Sequence, residues 1–146
     1  MSYFTVIPAS GSGMRFGGRT PKQFLEVNGR EIISYTLKKF ESIKFIKGIV
    51  IATKPEYFSI LSEKKKKNSF KKIIGFVSGG ETRMASVYNG LSVLNCRKND
   101  IVAVHDAVRP FVSRTQIINL FKFCAKYGSV IPALPVPDTV KEIRRK

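Results

Sequence analysis

The chain has 146 residues, of which 26 are Lys or Arg and 10 are Asp or Glu, giving a formal net charge of +16. This length suits one domain with a real core and is too short for two, and a hydrophobic content of 43% excludes a disordered chain. No apolar run reaches the ~18 residues of a membrane span, and residues 1–5 lack the features of a secretory signal. We expect a soluble, cytoplasmic protein with anionic partners.

Two further features of the composition carry no functional prediction. Cys96 and Cys124 fit neither a metal-ligand spacing nor a disulfide framework. The lysine run 64–67, with Lys71 and Lys72 beyond it, is interpreted as a solvated surface. The charge balance therefore indicates an anion without indicating which one.

Five short apolar runs are predicted to be buried strands of a parallel sheet, because each is rich in Ile and Val. Three apolar stripes with helical spacing lie between them, and residues 56–63 form a weaker helical pattern. The runs are 3–9, 46–53, 73–78, 101–105 and 130–136, and the stripes are Ile33–Leu37–Phe40, Met84–Val87–Leu91–Leu94 and Ile117–Phe121–Cys124.

This alternation of strand and helix predicts an α/β fold, with a doubly wound, mostly parallel sheet in a single domain spanning residues 1–146. Ligands of such sheets bind outside the carboxyl ends of the strands. Because the charged residues 142–146 begin a new segment and then stop, we expect a sheet that is incomplete at the C-terminus. The loops with unusual chemistry do follow strands, at 10–23, 78–83, 105–110 and 137–141.

The first of these loops combines small residues with two cations. It has neither the spacing of a P-loop nor the third glycine of the dinucleotide fingerprint, since Phe16 stands there. Small residues let the backbone approach a ligand, and successive N–H groups can cradle phosphate oxygens. Arg15 and Lys22 add positive charge at the same place, which favours phosphoryl transfer. The alternative is a tight glycine turn with two surface cations.

The loop after the third predicted strand begins with two glycines at 79–80, which permit positive φ and close contact. Arg83 and Ser86 follow in the first turns of a helix, three residues apart on neighbouring surface. The alternative is an ordinary helix N-terminus capped by Glu81 or Thr82.

The loop after the fourth predicted strand places Asp106 and Arg109 three residues apart. Asp106 can contact a triphosphate-bound Mg²⁺ or a ligand hydroxyl, and Arg109 can fork onto a phosphate. The alternative is a structural Asp–Arg pair. His105, the only histidine, is interpreted as a packing residue, and Thr139 presents a hydroxyl at the same sheet edge.

Together and in this order, the motifs resemble those of the 2-C-methyl-D-erythritol 4-phosphate cytidylyltransferases of the non-mevalonate isoprenoid pathway. The family pattern is P-A-A-G-x-G-x-R-M, P-K-Q-[FY], G-G-x-x-R-x-x-S-V, H-D-A-x-R-P and a D-T step. Ser10 stands for the family's Ala, and Phe16 for its Met. The family's dimerisation arm, a further basic residue and a C-terminal lysine have no counterpart up to Lys146. Here the motifs lie at 8–16, 21–24, 79–87, 105–110 and 138–139.

The resemblance implies a Rossmann-like nucleotidyltransferase that transfers CMP from CTP to 2-C-methyl-D-erythritol 4-phosphate and releases pyrophosphate. The sugar phosphate would attack the α-phosphorus in line; it is already an anion, so no general base is required. Mg²⁺ would assist, held mainly by phosphates, with Asp106 as a candidate ligand. A homodimer is expected of the family, although the arm is absent here.

The resemblance also implies roles for individual residues. Arg15 and Lys22 match the cations that stabilise the transition state. Asp106, Arg109 and Thr139 match positions that bind the sugar phosphate. The CTP-binding set comprises Pro8, Ala9, Ser10, Gly11, Gly13, Gly79, Gly80, Arg83 and Ser86.

Three alternative functions remain from the sequence. Ribitol 5-phosphate cytidylyltransferases share the glycine loop, P-K-Q and H-D-x-R-P, but Ala107 and the 135–139 step favour the isoprenoid enzyme. The chain could instead be a CTP-binding fragment that is catalytically impaired. Nucleic-acid binding rests on net charge alone and is not supported by a recognition motif. The expected partners are CTP and a sugar-alcohol phosphate, with no nucleic acid and no membrane.

Overall fold

The computed structural model describes residues 1–11, 20–137, 139 and 141–142. No helix in these ranges is both long and apolar enough to cross a bilayer. Short 3₁₀ turns lie at Lys22–Phe24 and Pro55–Tyr57. The strands and helices in chain order are β1 (Tyr3–Pro8), β2 (Glu26–Val27), β3 (Arg30–Glu31), α1 (Ile32–Glu41), β4 (Ile46–Thr53), α2 (Phe58–Lys67), β5 (Ile73–Ser78), α3 (Arg83–Ser92), β6 (Ile101–Val104) and α4 (Arg114–Tyr127).

Four strands form a parallel sheet in the order β5-β4-β1-β6, and β2 and β3 form a separate antiparallel pair. The register sets Val6 of β1 beside Val50 of β4 and Val104 of β6. The chain passes from β1 to β4 and β5 on one side, then returns to β6 on the other side of β1. The carboxyl end of β1 is therefore a topological switch point, where ligands of such sheets bind. The predicted α/β, mostly parallel fold is confirmed.

The central strands supply apolar side chains to both faces of the sheet, because successive side chains point to opposite sides. Ile7 and Ile51 belong to a larger cluster with Phe40 of α1 and Phe121 of α4. The opposite face, which α3 covers, carries a smaller cluster of Val6, Val50 and Leu94.

Helix α3 packs on the sheet through small residues. Its buried residues are Ser86 and Gly90, and a Cβ at Gly90 would lie 2.5 Å from Cγ1 of Val6. The apolar stripe predicted for this helix is therefore partly wrong, since Met84 is 80% exposed and Leu91 is 38% exposed. Close approach of the backbone to β1 replaces the burial of large side chains.

The predicted fifth strand, Val130–Val136, is wrong. Residues 130–137 have no regular secondary structure, and Ile131 and Leu134 are 83% and 89% exposed. A strand needs a neighbour for its backbone hydrogen bonds, and among the described residues β6 pairs only with β1. A groove of about 400 Å³ lies beside β6, lined by α4 and by Val130, Ile131 and Pro132.

The lysine run is not wholly a solvated surface. Lys64 forms an ion pair with Glu31, whose side chain is only 8% exposed. The Lys72 ammonium donates to the carbonyl of Ile43. Two of the six lysines therefore link α2 and the start of β5 to their neighbours, because a buried carboxylate or carbonyl is costly without a partner.

We expect Gly90→Ala to destabilise the fold by about 1–3 kcal/mol, the cost of overpacking a filled core. Alanine stabilises a helix relative to glycine by roughly 0.5–1 kcal/mol. This gain is smaller than the cost of moving Val6, which is fully buried and has a restricted χ1 angle. The free energy of unfolding in urea measures the change. In the control Gly75→Ala the added Cβ meets nothing within 4 Å, so little or no loss is expected. Equal losses in both variants would contradict the packing argument.

Candidate nucleotide site at the carboxyl edge of the sheet

The end of β1 is fixed by hydrogen bonds to its neighbours. The Ala9 N–H donates to the carbonyl of Ala52 at 2.7 Å, and the Ala9 carbonyl accepts from Thr53 Oγ1 at 3.1 Å and from Gln23 Nε2 at 2.6 Å. Gln23 also donates to the carbonyl of Gly11 at 3.2 Å. The chain leaves this point at Gly11 and returns at Gln23, so one buried carboxamide holds both ends of the first loop.

The loop after β5 is organised by Ser86, which is fully buried on α3. The Gly80 N–H donates to Ser86 Oγ at 3.0 Å, and Ser86 Oγ lies 2.8 Å from Ser10 Oγ. A Cβ at Gly79 would lie 2.3 Å from the Ser10 Cβ. Of the two reasons predicted for glycine here, close contact is the one that applies, since the positive-φ glycines among the described residues are Gly29 and Gly128.

The N-terminus of α3 is capped by Thr82, one of the two capping residues predicted from the sequence as the alternative to a ligand site. Thr82 Oγ1 accepts from the Ala85 N–H at 3.0 Å. This cap does not exclude a ligand role for the same turn, because Arg83 projects outward with a side chain that is 61% exposed.

Asp106 lies between two guanidinium groups at the end of β6. Its Oδ1 is 2.9 Å from Nε of Arg83, and its Oδ2 is 3.0 Å from Nε of Arg109. The Ala107 N–H donates to the Pro8 carbonyl at 3.4 Å, which holds this loop against β1. Exposed ion pairs add little stability, so their main effect is orientation. Both arginine side chains are more than half exposed, so their remaining guanidinium N–H groups can bind an anion.

His105 packs in the manner predicted for it. Its ring lies 5.1 Å from that of Phe40, centroid to centroid, and its Nε2 is 3.0 Å from the carbonyl of Arg109. Burial lowers the pKa of His105, while the Arg109 carbonyl acts to raise it. The neutral ring is therefore the form that fits this site.

The structure brings most of the predicted site residues to one edge. Thr139 is exposed on a segment without regular secondary structure. Gly13 and Arg15 lie outside the described residues, as does Asp138, so the mutual placement of the two predicted catalytic cations stays a prediction. The residues brought together at the edge are Pro8, Ala9, Ser10, Gly11, Gly79, Gly80, Arg83, Ser86, Asp106 and Arg109, with Lys22 at the start of the following 3₁₀ turn.

Comparisons with known proteins agree with this arrangement. The sequence model of the family described as IspD, 2-C-methyl-D-erythritol 4-phosphate cytidylyltransferase, matches residues 3–146. The protein of that name from Geobacillus thermodenitrificans is 36% identical over 143 residues, which are 98% of this chain and 62% of the relative. The one from Clostridium botulinum is 39% identical over 140 residues, 94% of this chain and 61% of the relative.

A solved structure, 4-diphosphocytidyl-2C-methyl-D-erythritol synthase from Anaerococcus prevotii, superposes with a TM-score of 0.81 at 29% identity, covering 98% of this chain and 59% of that one. The parallel sheet and the loops at its carboxyl edge thus define an α/β nucleotidyltransferase fold. The chain spans about 62% of the length of the relatives that it matches. It belongs to the 2-C-methyl-D-erythritol 4-phosphate cytidylyltransferase family.

We expect Gln23→Leu to destabilise the chain by about 1–3 kcal/mol, since it removes the side-chain donor of the Gly11 carbonyl and one of the two side-chain donors of the Ala9 carbonyl. Thermal unfolding and denaturant titration measure the loss. Gln116→Leu is the control, because Gln116 is exposed on α4 and its backbone N–H, which the substitution keeps, donates to Ser113 Oγ. A Gln23 variant as stable as the control would show that the carboxamide does not hold the loop.

The pKa of His105 makes the stability depend on pH in a defined direction. Because burial lowers this pKa in the folded chain, the unfolded chain binds a proton first as pH falls through about 6.5. The contribution is fully present above that pH and is lost below it. Between pH 7 and pH 5 the unsubstituted chain should lose more unfolding free energy than His105→Gln. Parallel pH profiles in urea unfolding would contradict this.

Proposed function

We propose that this chain binds CTP at the carboxyl end of β1 and serves the transfer of CMP from CTP to 2-C-methyl-D-erythritol 4-phosphate, with release of pyrophosphate. One observation carries the proposal: three loops from different parts of the chain meet at the switch point of the sheet. Ser10 and Ser86 join the loops after β1 and β5, and Arg83 and Asp106 join the start of α3 to the loop after β6. Membership of the family supports the nature of the reaction.

Charge neutralisation is the main chemical contribution of the site. The nucleophile is a phosphate oxygen that is already anionic, so the protein needs to position it and to offset negative charge rather than remove a proton. We assign Lys22 and Arg15 to the triphosphate and its transition state. The Asp106 carboxylate fixes the Nε edges of Arg83 and Arg109, which leaves their Nη groups to receive phosphate oxygens.

Among the described residues no group of three acidic, His or Cys side chains could hold a metal ion. Both oxygens of Asp106 already have guanidinium partners. A divalent cation, with Mg²⁺ the expected one, would therefore be held mainly by the phosphates, as this ion commonly is. When bound it would neutralise phosphate charge.

For the acceptor, we propose that Asp106, Arg109 and Thr139 contact the sugar phosphate. The names of the relatives favour methylerythritol phosphate over ribitol 5-phosphate. We further propose that the chain is a single domain, that it forms a homodimer, as expected of the family, and that it acts in the cytoplasm.

Calorimetric titration of the 146-residue chain tests the nucleotide assignment. CTP should bind more tightly than UTP, whose base presents a different hydrogen-bonding edge, and more tightly than ATP, whose purine base is larger than cytosine. Affinity should fall with salt less steeply than the 10³–10⁵-fold loss between 50 and 200 mM that six to ten phosphate contacts of a nucleic acid produce. Equal affinity for all three nucleotides would reduce the site to a general polyphosphate binder.

Lys22→Ala tests the proposed transition-state role. Pyrophosphate release with methylerythritol phosphate should fall by at least about 10²-fold, as expected for loss of a preorganised charge contact. Lys98→Ala removes an exposed lysine on the loop before β6, at the opposite edge, and should leave the rate unchanged. If the unsubstituted chain binds CTP but releases no pyrophosphate, the result would support the alternative of a catalytically impaired CTP-binding fragment. The same assay with ribitol 5-phosphate tests whether the chain is instead a ribitol 5-phosphate cytidylyltransferase.

A further inference from the structure

The hydroxyl groups of Ser10 and Ser86 form a hydrogen bond between two loops that are 76 residues apart in the chain. Their Oγ atoms are 2.8 Å from each other. Ser86 is fully buried, and Ser10 is partly buried on the side of the switch point. The loops packed on either side are the two that the proposed nucleotide must contact together.

The donors and acceptors around Ser86 assign a direction to this bond. A serine hydroxyl has one proton and two lone pairs. Ser86 Oγ accepts from the Gly80 N–H at 3.0 Å. Its own proton has two carbonyl acceptors, Thr82 at 3.0 Å and Gly80 at 3.3 Å, the first of which is a common back-bond of helical serine. One lone pair remains, and Ser10 is placed to donate to it. This assignment satisfies every bonding site of a buried hydroxyl.

In this arrangement Ser10 donates its only hydroxyl proton to Ser86 Oγ. The Ser10 hydroxyl therefore has no proton left to donate to a phosphate oxygen. The residue is also a departure from the family pattern, which has alanine here. Its side chain therefore adds a link between the loops rather than a direct phosphate contact.

We propose that Ser10 is a positioning residue, which acts through Ser86 to hold the loop after β1 against the loop after β5 in the spacing that binds CTP. The proposal rests on the proposed function. The bond fixes Ser86, Ser86 fixes the Gly80 N–H, and the absence of a Cβ at Gly79 lets the two loops touch. Separation of the loops lowers affinity because binding then has to include the ordering of both.

A double-mutant cycle on CTP affinity tests this directly. Ser10→Ala should weaken CTP binding about 3- to 10-fold, the net worth of one hydrogen bond. Ser86→Ala should weaken it at least as much, since Gly80 also loses its acceptor. If Ser10 acts through Ser86, the double variant should match Ser86→Ala within about twofold, because coupled sites are not additive.

Ser92→Ala is the matched control, because Ser92 is an exposed serine of the same helix whose hydroxyl donates to the Asn89 carbonyl at 2.9 Å. Its CTP affinity should equal that of the unsubstituted chain. Two results overturn the proposal: an unchanged affinity in Ser10→Ala, or a Ser10→Ala loss that persists in full when Ser86 is already alanine. The second would show that Ser10 contacts the nucleotide itself.

Urea unfolding of the same four chains without nucleotide separates the two levels of inference. Non-additive unfolding free energies would show the hydroxyl bond in the free chain. If the unsubstituted chain binds no CTP, the proposed function fails, and the positioning role fails with it even where the bond is present. If the unsubstituted chain binds CTP and the effects of the two substitutions on CTP affinity are additive, only the positioning role of Ser10 fails.

Discussion

The close packing of α3 against β1 is the constraint on which the site depends. The chain must return from β5, at one edge of the sheet, to β6 on the far side of β1, and α3 makes that crossing. It can lie close to the sheet only because Gly90 leaves room for Val6. The same helix carries Ser86 toward the loop after β1 and Arg83 toward the loop after β6. One packing contact therefore sets the spacing of all three loops.

Polar groups at this edge have two distinct environments. Around Ala9 and Ser86 the hydrogen bonds are buried or part-buried and join protein groups to each other, so this part of the site offers a ligand mainly backbone groups. Beside Asp106 the side chains of Arg83 and Arg109 are 61% and 74% exposed. The single carboxylate therefore orients both guanidinium groups but offsets only one of their two positive charges. A nucleotide can lie against the first environment while phosphates meet the second. This division suits a reaction that needs accurate placement and charge neutralisation without a base.

The sequence predicted the sheet well because buried parallel strands appear as short runs of Ile and Val, and four of the five runs are strands. It failed at residues 130–136 because an apolar run does not reveal whether a pairing partner is present. It failed at Met84 because the stripe rule assumes that large residues face the sheet, whereas α3 uses Ser86 and Gly90. The spacing of apolar residues indicates the period of a helix, but it does not indicate how closely the helix backbone approaches the sheet.

At the site, the sequence identified the loops and their charged residues, but not the partners that hold them. In the sequence, Gln23 is recognisable only as part of the P-K-Q motif. Its position along the chain does not show that its carboxamide donates to the carbonyls of both Ala9 and Gly11. The pairing of Arg83 with Asp106 joins residues that are 23 positions apart. Such contacts depend on the order of strands in the sheet, which a single sequence does not specify.

The same topology separates the two substrates of the proposed reaction. The hydrogen bonds and ion pairs described above for the loops around the switch point come from residues up to Arg109, so β1, β5, α3 and β6 assemble the proposed nucleotide side. Thr139, proposed for the acceptor, lies beyond α4 in an exposed segment, and β6 borders an open groove there. The proposed nucleotide binding therefore depends on contacts among these strands and loops, whereas the proposed acceptor binding depends on the segment after α4, whose described residues form no strand. We therefore expect substitutions to change the proposed CTP binding and the proposed transfer separately.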